Sequence, residues 1–142
     1  MAGYSGTPLP KKLGIRPGAR VVLLAPPEGL AESLRDADGR SATFASSLAG
    51  RDPIDVLLLF TTGAADLRKR FAGAAQRLDP AGGLWVGWPK KTSGVTTDLT
   101  EDRVREIGLA AGLVDNKVCA IDDTWSGLRF VYRLKDRPKE KR

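Results

Sequence analysis

The sequence predicts an α/β fold: a mainly parallel sheet with helices on both faces, closed at its C-terminal end by an antiparallel hairpin. Three observations predict it. Residues 20–25 (RVVLLA), 55–60 (DVLLLF) and 84–88 (LWVGW) are nearly unbroken apolar runs, the pattern of strands covered on both faces. Amphipathic stretches of helical period alternate with them, as strand–helix–strand units require. Finally, only residues 122–127 separate the last two strand patterns, too few for a parallel return, so those two strands form a hairpin.

Taken in order, residues 1–18 are rich in Gly and Pro, with Pro8, Pro10 and Pro17, and read as an extended arm with Leu13 and Ile15 tucked against the body. The first strand, 20–25, ends at Pro26, Pro27 and Gly29. A short helix over 30–36 follows, with Leu30 and Leu34 on its apolar side. Asp38-Gly39 signals a turn, and 41–44 a brief strand. After Asp52-Pro53 comes the strand over 55–60, then Thr61-Thr62-Gly63 and a helix over 64–78. There Leu67, Phe71, Ala74, Ala75 and Leu78 follow the i, i+4, i+7, i+8, i+11 spacing of one buried stripe.

Residues 79–83 (DPAGG) read as a break before the strand over 84–88, in which Trp85 reads as core. Asp98 with Glu101 reads as a capping box opening a helix. Val104, Ile107 and Ala111 lie on one side of it, and Gly112 sits just past its end. The hairpin strands are 117–121, where Cys119 reads as a buried small hydrophobe, and 128–134. No apolar side chain follows Leu134, so 135–142 reads as a basic, flexible tail. The organisation is an arm over 1–18, one domain over 19–134, and the tail.

Composition excludes several function classes. A chain of 142 residues is one domain by length. No apolar run approaches the roughly 20 residues that span a bilayer, and the first residues lack the basic-then-apolar pattern of a secretory signal. With Cys119 as its single cysteine the chain forms no internal disulfide, which fits a cytoplasmic location. There is no histidine. Ser-His-Asp and Cys-His catalysis and imidazole-based zinc sites are therefore absent.

The net charge of +6 resides at the ends. Residues 1–27 carry four basic side chains and no acid; residues 129–142 carry seven basic against two acidic. The stretch 28–128 carries twelve basic against fifteen acidic, a charge of −3. Such ends usually just solvate a terminus, so nucleic acid is disfavoured as a partner, although the termini leave polyanion binding as an alternative.

The candidate site follows from topology. Right-handed crossovers place the carboxyl ends of parallel strands on one edge, where ligands sit in open α/β sheets. The loops 25–29, 61–63, 88–94 and 122–127 therefore open together. Lys90 and Lys91 fit either a solvated turn whose charge serves solubility or, with the hydroxyls of Thr92, Ser93 and Thr96, a cradle for an anion near a helix start. Thr61 and Thr62 fit either a helix cap or a ligand contact. Asp122 and Asp123 fit turn residues accepting backbone bonds or a hydroxyl-binding pair. Trp88 and Trp125 fit packing, stacking on a planar ligand or anchoring a protein partner. No third ligand stands beside the paired aspartates for a metal.

Two resemblances add to this reading. The stretches IRPGARVVLL (15–24) and LDPAGGLWV (78–86), with the terminal hairpin, resemble a trimmed class I S-adenosylmethionine-dependent methyltransferase domain, which implies a Rossmann-like sheet. The resemblance implies a glycine-rich cofactor turn after the first strand and an acidic residue ending the second. This chain has Ala25-Pro26-Pro27-Glu28-Gly29 and Phe44-Ala45-Ser46 at those places, and at least one βα unit is missing. A closer resemblance covers nearly the whole chain. GYSGTPLPKKLGI, GGLWVGWPKKTSGVTTDLTE and GLAAGLVDNKVCAIDDTWSGLRFVYRLKDR are similar, in order and spacing, to a family of small bacterial proteins known as domain of unknown function 3052. That resemblance implies a compact domain without obvious catalytic apparatus.

The sequence thus points to a protein without bound cofactor, leaning against catalysis, that binds a small anionic ligand or a protein partner, including a second copy of itself, at the carboxyl edge. A divergent methyltransferase is the alternative from another class.

Overall fold

The computed structural model describes residues 8–37 and 42–136. The Asp38-Gly39 turn, the first residues of the arm and the last six of the tail lie outside them. Six strands form one sheet in the order β2-β1-β3-β4-β6-β5. These are β1 (Arg20–Leu24), β2 (Thr43–Ala45), β3 (Ile54–Phe60), β4 (Leu78–Pro89), β5 (Leu113–Ala120) and β6 (Trp125–Tyr132). The pairs β1–β2, β1–β3 and β3–β4 are parallel, while β6 runs antiparallel to both β4 and β5. The hairpin therefore joins the sheet through its second strand, which lies between β4 and β5. No helix among the described residues is long and apolar enough to cross a membrane.

Both faces of the sheet are covered, as the apolar runs require. On one face Leu57, Leu59, Leu84 and Val86 pack under α3 (Ala64–Arg77) and α4 (Glu101–Ala110). On the other, Val21, Leu23, Leu58 and Trp85 pack with Leu13 of α1 (Leu9–Leu13) and with Leu30 and Leu34 of α2 (Leu30–Ala37). Neighbouring leucines of β3 thus point into opposite cores, which is why that strand tolerates no polar alternation. The expected stripe on α3 is buried through Ala75, and Leu78 opens β4. Trp85 is fully buried, and its Nε1 donates to the Leu13 carbonyl at 3.1 Å.

Several expectations are corrected. The arm is not extended throughout: Leu9–Leu13 is helical. Pro at the first helical positions costs no hydrogen bond, and Gly14 at φ 84° closes the turn. Leu13 and Ile15 are tucked in as expected. Residues 79–83 do not separate a helix from a later strand. Leu78 already pairs with Ile54, and the register jumps from there to Gly83 opposite Val56, so the insertion is a bulge within one long strand. Gly82 permits it, since a Cβ there would sit 2.9 Å from the carbonyl oxygens of Ile54 and Asp55.

Strands β5 and β6 begin earlier than expected, and Ala111 is an exposed C-cap of α4 with Gly112 beyond it at φ 97°. Cys119 is half-buried, and burial pushes its thiol pKa up against the opposing pull of Lys12 and Lys117.

Candidate functional site

The carboxyl ends of β1, β3 and β4 lie on one edge because these strands are parallel, and the β5–β6 tip joins them because β5 runs in the direction of β4. The join is direct. The amide of Lys90 donates to the carbonyl of Thr124 at 2.8 Å, and Pro89 pairs with Trp125. The dilysine turn and the hairpin tip are therefore neighbours. Lys91–Ser93 form one 3-10 turn, closed by Gly94 at φ 81°. Ser93 Oγ donates to the Lys90 carbonyl at 2.7 Å and accepts from the Val95 amide at 3.1 Å, so its hydroxyl shapes the turn. Lys91, Thr92 and Thr96 are exposed and Lys90 is partly so. No ion pair involves either lysine among the described residues.

The helix start behind this turn is not where the sequence suggests. Asp98 does not open α4. Thr100 is its cap, with Oγ1 accepting from the Arg103 amide at 3.1 Å. A hydroxyl one turn before Arg103 competes successfully for the cap because Asp98 has a partner elsewhere. Asp98 Oδ1 accepts from the Ala64 amide at 2.9 Å, and Thr97 Oγ1 donates to the Thr62 carbonyl at 2.6 Å. The loop after β4 thus clasps the loop after β3, and a carboxylate of the chain itself occupies the N-terminal end of α3.

Thr61 is buried at 6% exposure. Its Oγ1 donates to Asp66 Oδ2 at 2.7 Å and accepts from the Gly63 amide at 3.2 Å, so the hydroxyl acts within the helix start. That donation, helped by Arg70, holds the Asp66 carboxyl below its ordinary pKa against the opposing effect of burial. Thr62 is exposed and offers its carbonyl to Thr97. Asp122 Oδ1 accepts from the amides of Thr124 and Trp125 at 2.8 and 2.7 Å, the turn role, whereas Asp123 is exposed.

The two tryptophans part company. Trp88, at 5% exposure, belongs to the core under α3 and α4 and does not face the rim. Trp125 is half-buried and meets the Phe60 ring edge-on at 5.4 Å and 84°. Phe60 lies across Gly87, where a Cβ would approach its ring to 2.6 Å. The structure therefore brings together Lys90, Lys91, Thr92, Ser93, Asp122, Asp123 and Trp125, and removes Trp88 from the rim.

Two participants were not legible as such. Phe60 reads simply as the last residue of an apolar run. Ala25, directly after β1, has φ 54°, and no other non-glycine residue among those described has a positive φ. Nothing in its sequence context signals that strain, since Gly or Asn is the usual occupant of that region. Pro26 and Pro27 follow it, so two successive positions of the β1 turn carry no N–H.

The fold has many solved counterparts. Among them is magnesium protoporphyrin IX methyltransferase (ChlM) from Synechocystis PCC 6803 with bound SAH, at TM-score 0.57 and 12% identity, covering 82% of this chain and 75% of that one. A SAM-dependent methyltransferase from Aquifex aeolicus aligns at TM-score 0.58 and 14% identity, covering 84% and 85%. The Methanococcus jannaschii fibrillarin pre-rRNA processing protein aligns at 0.53 and 11%, covering 89% and 69%. At these identities the likeness establishes a methyltransferase-like, Rossmann-type fold. No curated protein matches the chain in sequence. The family profile described as "Protein of unknown function (DUF3052)" matches residues 11–134, most of the chain, and the protein belongs to that family.

Proposed function

We propose that this protein is a non-catalytic binding domain on a methyltransferase-like fold, and that its carboxyl edge takes a small anionic ligand at the dilysine turn. One observation carries the reading: the hydrogen bond from the Lys90 amide to the Thr124 carbonyl, which fixes a turn bearing two ammonium groups against the hairpin tip. A pre-ordered turn loses less entropy on binding than a free one. The Asp122 carboxylate next to it is committed to the amides of its own turn, which limits its repulsion of an anion.

Against cofactor chemistry stands the β1 turn. Pro26 and Pro27 remove two backbone donors where a phosphate, carboxylate or amino-acid moiety would be cradled. Phe60 and Trp125 pack against each other at the same rim. Methyl transfer is the second reading. It is favoured by the neighbours' fold, one of them with bound SAH, and by the backbone strain at Ala25, because strained residues cluster at functional positions.

Isothermal calorimetry separates the two. Titrations use a dicarboxylate and S-adenosylhomocysteine, against the wild type and the Lys90→Ala/Lys91→Ala variant. The binding reading expects heat from an anion that the double variant loses, with an unchanged Tm. Equal affinity in both proteins overturns it, and saturable S-adenosylhomocysteine binding favours the second reading in its place.

A further inference from the structure

At the opposite end of the sheet, the connection from β2 to β3 does work that a helix does elsewhere in the fold. Residues 46–53 cross the α3 face, with Leu48 packed on the core there, and beneath them lies an open pocket of about 180 Å³. Its walls include the start of β1, all of β2, Ile54 and the last residue of α3. These are the amino ends of the parallel strands, so the pocket is remote from the dilysine turn.

We infer that this pocket is a second binding site, for a small phosphate-bearing anion. Three arginines line it, Arg20, Arg51 and Arg77, against one carboxylate, Asp52. Arg77 donates to the carbonyl oxygens of Leu48 and Asp52, the latter at 2.7 Å. Carbonyls satisfy its N–H groups without neutralising it, so the guanidinium keeps its full charge. Arg20 donates to the Pro53 carbonyl at 3.2 Å and stands 3.6 Å from a largely exposed Asp52 carboxylate, a pairing that solvent weakens. Arg51 is exposed on the stretch between the two anchoring carbonyls, next to Gly50 at φ 97°. Thr43 and Ser47 add hydroxyls.

Guanidinium groups donating in fixed forks, with hydroxyls beside them, form the donor set that matches a tetrahedral oxyanion. The segment is also held in advance. Arg77 pins it at Leu48 and Asp52, and the Ala49 amide donates to Ser47 Oγ at 3.3 Å. Size restricts the ligand. Pockets for nucleotide-sized molecules run from about 300 Å³ upward, so this one suits phosphate, pyrophosphate or a short phosphomonoester.

The test is a thermal-shift titration of the full chain with inorganic phosphate and pyrophosphate, at ionic strength held constant with KCl. Variants are Arg51→Gln, Arg68→Gln as a control for net charge, and Lys90→Ala/Lys91→Ala. The expected result is a saturable rise in Tm for the wild type, the charge control and the dilysine variant. Apparent affinity should fall about ten-fold or more in Arg51→Gln, whose unliganded Tm stays at the wild-type value. No saturable shift beyond the KCl control, or a shift that Arg51→Gln retains, overturns the site. A shift lost only in the dilysine variant assigns the anion to the carboxyl edge and also overturns it.

Discussion

Asp98 accepts the backbone N–H of Ala64 at 2.9 Å, so a carboxylate in the loop after β4 caps a helix that began 34 residues earlier. The residue preceding that helix, Gly63, has no side chain to do so. Asp98→Ala should therefore cost about 1–2 kcal/mol of global stability, the range of a lost cap with a favourable dipole interaction. Asp98→Asn should retain most of it. Urea unfolding measures both. Because Thr100 independently caps α4, the loss should show as faster amide exchange at the start of α3 and not of α4. The reverse pattern restores the capping box expected from the sequence.

How much of this was legible varies with the kind of signal. The strands were, because β1 and β3 are buried on both faces and such burial leaves unbroken apolar runs such as Val21–Leu24 and Val56–Phe60. The shared carboxyl edge was also legible, since parallel order alone fixes it. Side-chain commitments were not. Asp98-x-x-Glu101 and Thr100 both qualify as caps, and only the approach of Ala64 decides between them. Trp88 and Trp125 look alike in sequence, and strand pleat sends one to the core and leaves the other at the rim. The helix at Leu9–Leu13 was obscured because Pro8 and Pro10 mark either an extended segment or a helix start.

The Phe60–Trp125 pair depends on the absence of a side chain at position 87. Gly87→Ala places a Cβ 2.6 Å from the Phe60 ring, and the β4 backbone on one side and the core on the other leave the ring little room. Overpacking of this kind costs about 1–3 kcal/mol. The variant should unfold at lower urea, with altered tryptophan fluorescence from Trp125. An unchanged midpoint means that the ring swings clear.

Thr61 links stability to pH. Its hydroxyl, assisted by Arg70, lowers the folded-state pKa of Asp66. A carboxyl whose pKa is lower folded than unfolded stabilises the fold above its unfolded value, and that contribution disappears as pH falls through the folded value. Thr61→Val should cost about 1 kcal/mol near neutral pH, discounted because Asp66 is half exposed. The part due to Asp66 should vanish once the pH has fallen through the lowered folded-state value of its carboxyl, leaving only the penalty for the Gly63 amide that Thr61 also satisfies. Urea midpoints of wild type and variant across this range read the difference directly. A gap that does not narrow on acidification assigns the whole effect to the amide.

The N-terminal helix is held from inside the core. Trp85 Nε1 donates to the Leu13 carbonyl at 3.1 Å, and Leu13 is itself buried at 1% exposure. Trp85→Phe removes the donor and leaves that carbonyl without a partner in apolar surroundings, a loss of about 1–3 kcal/mol before the smaller ring's packing deficit is added. Lys117 Nζ also reaches α1, at the Lys12 carbonyl, but at the exposed surface, where water replaces it. Lys117→Ala should therefore change stability by only a few tenths of a kcal/mol. Hydrogen exchange gives the sharper reading. The Ile15 amide, bonded to the Pro10 carbonyl, should lose protection in Trp85→Phe well before the central strand β3 does. If Ile15 and β3 lose protection together, α1 is part of the global folding unit and the tryptophan is not its separate latch.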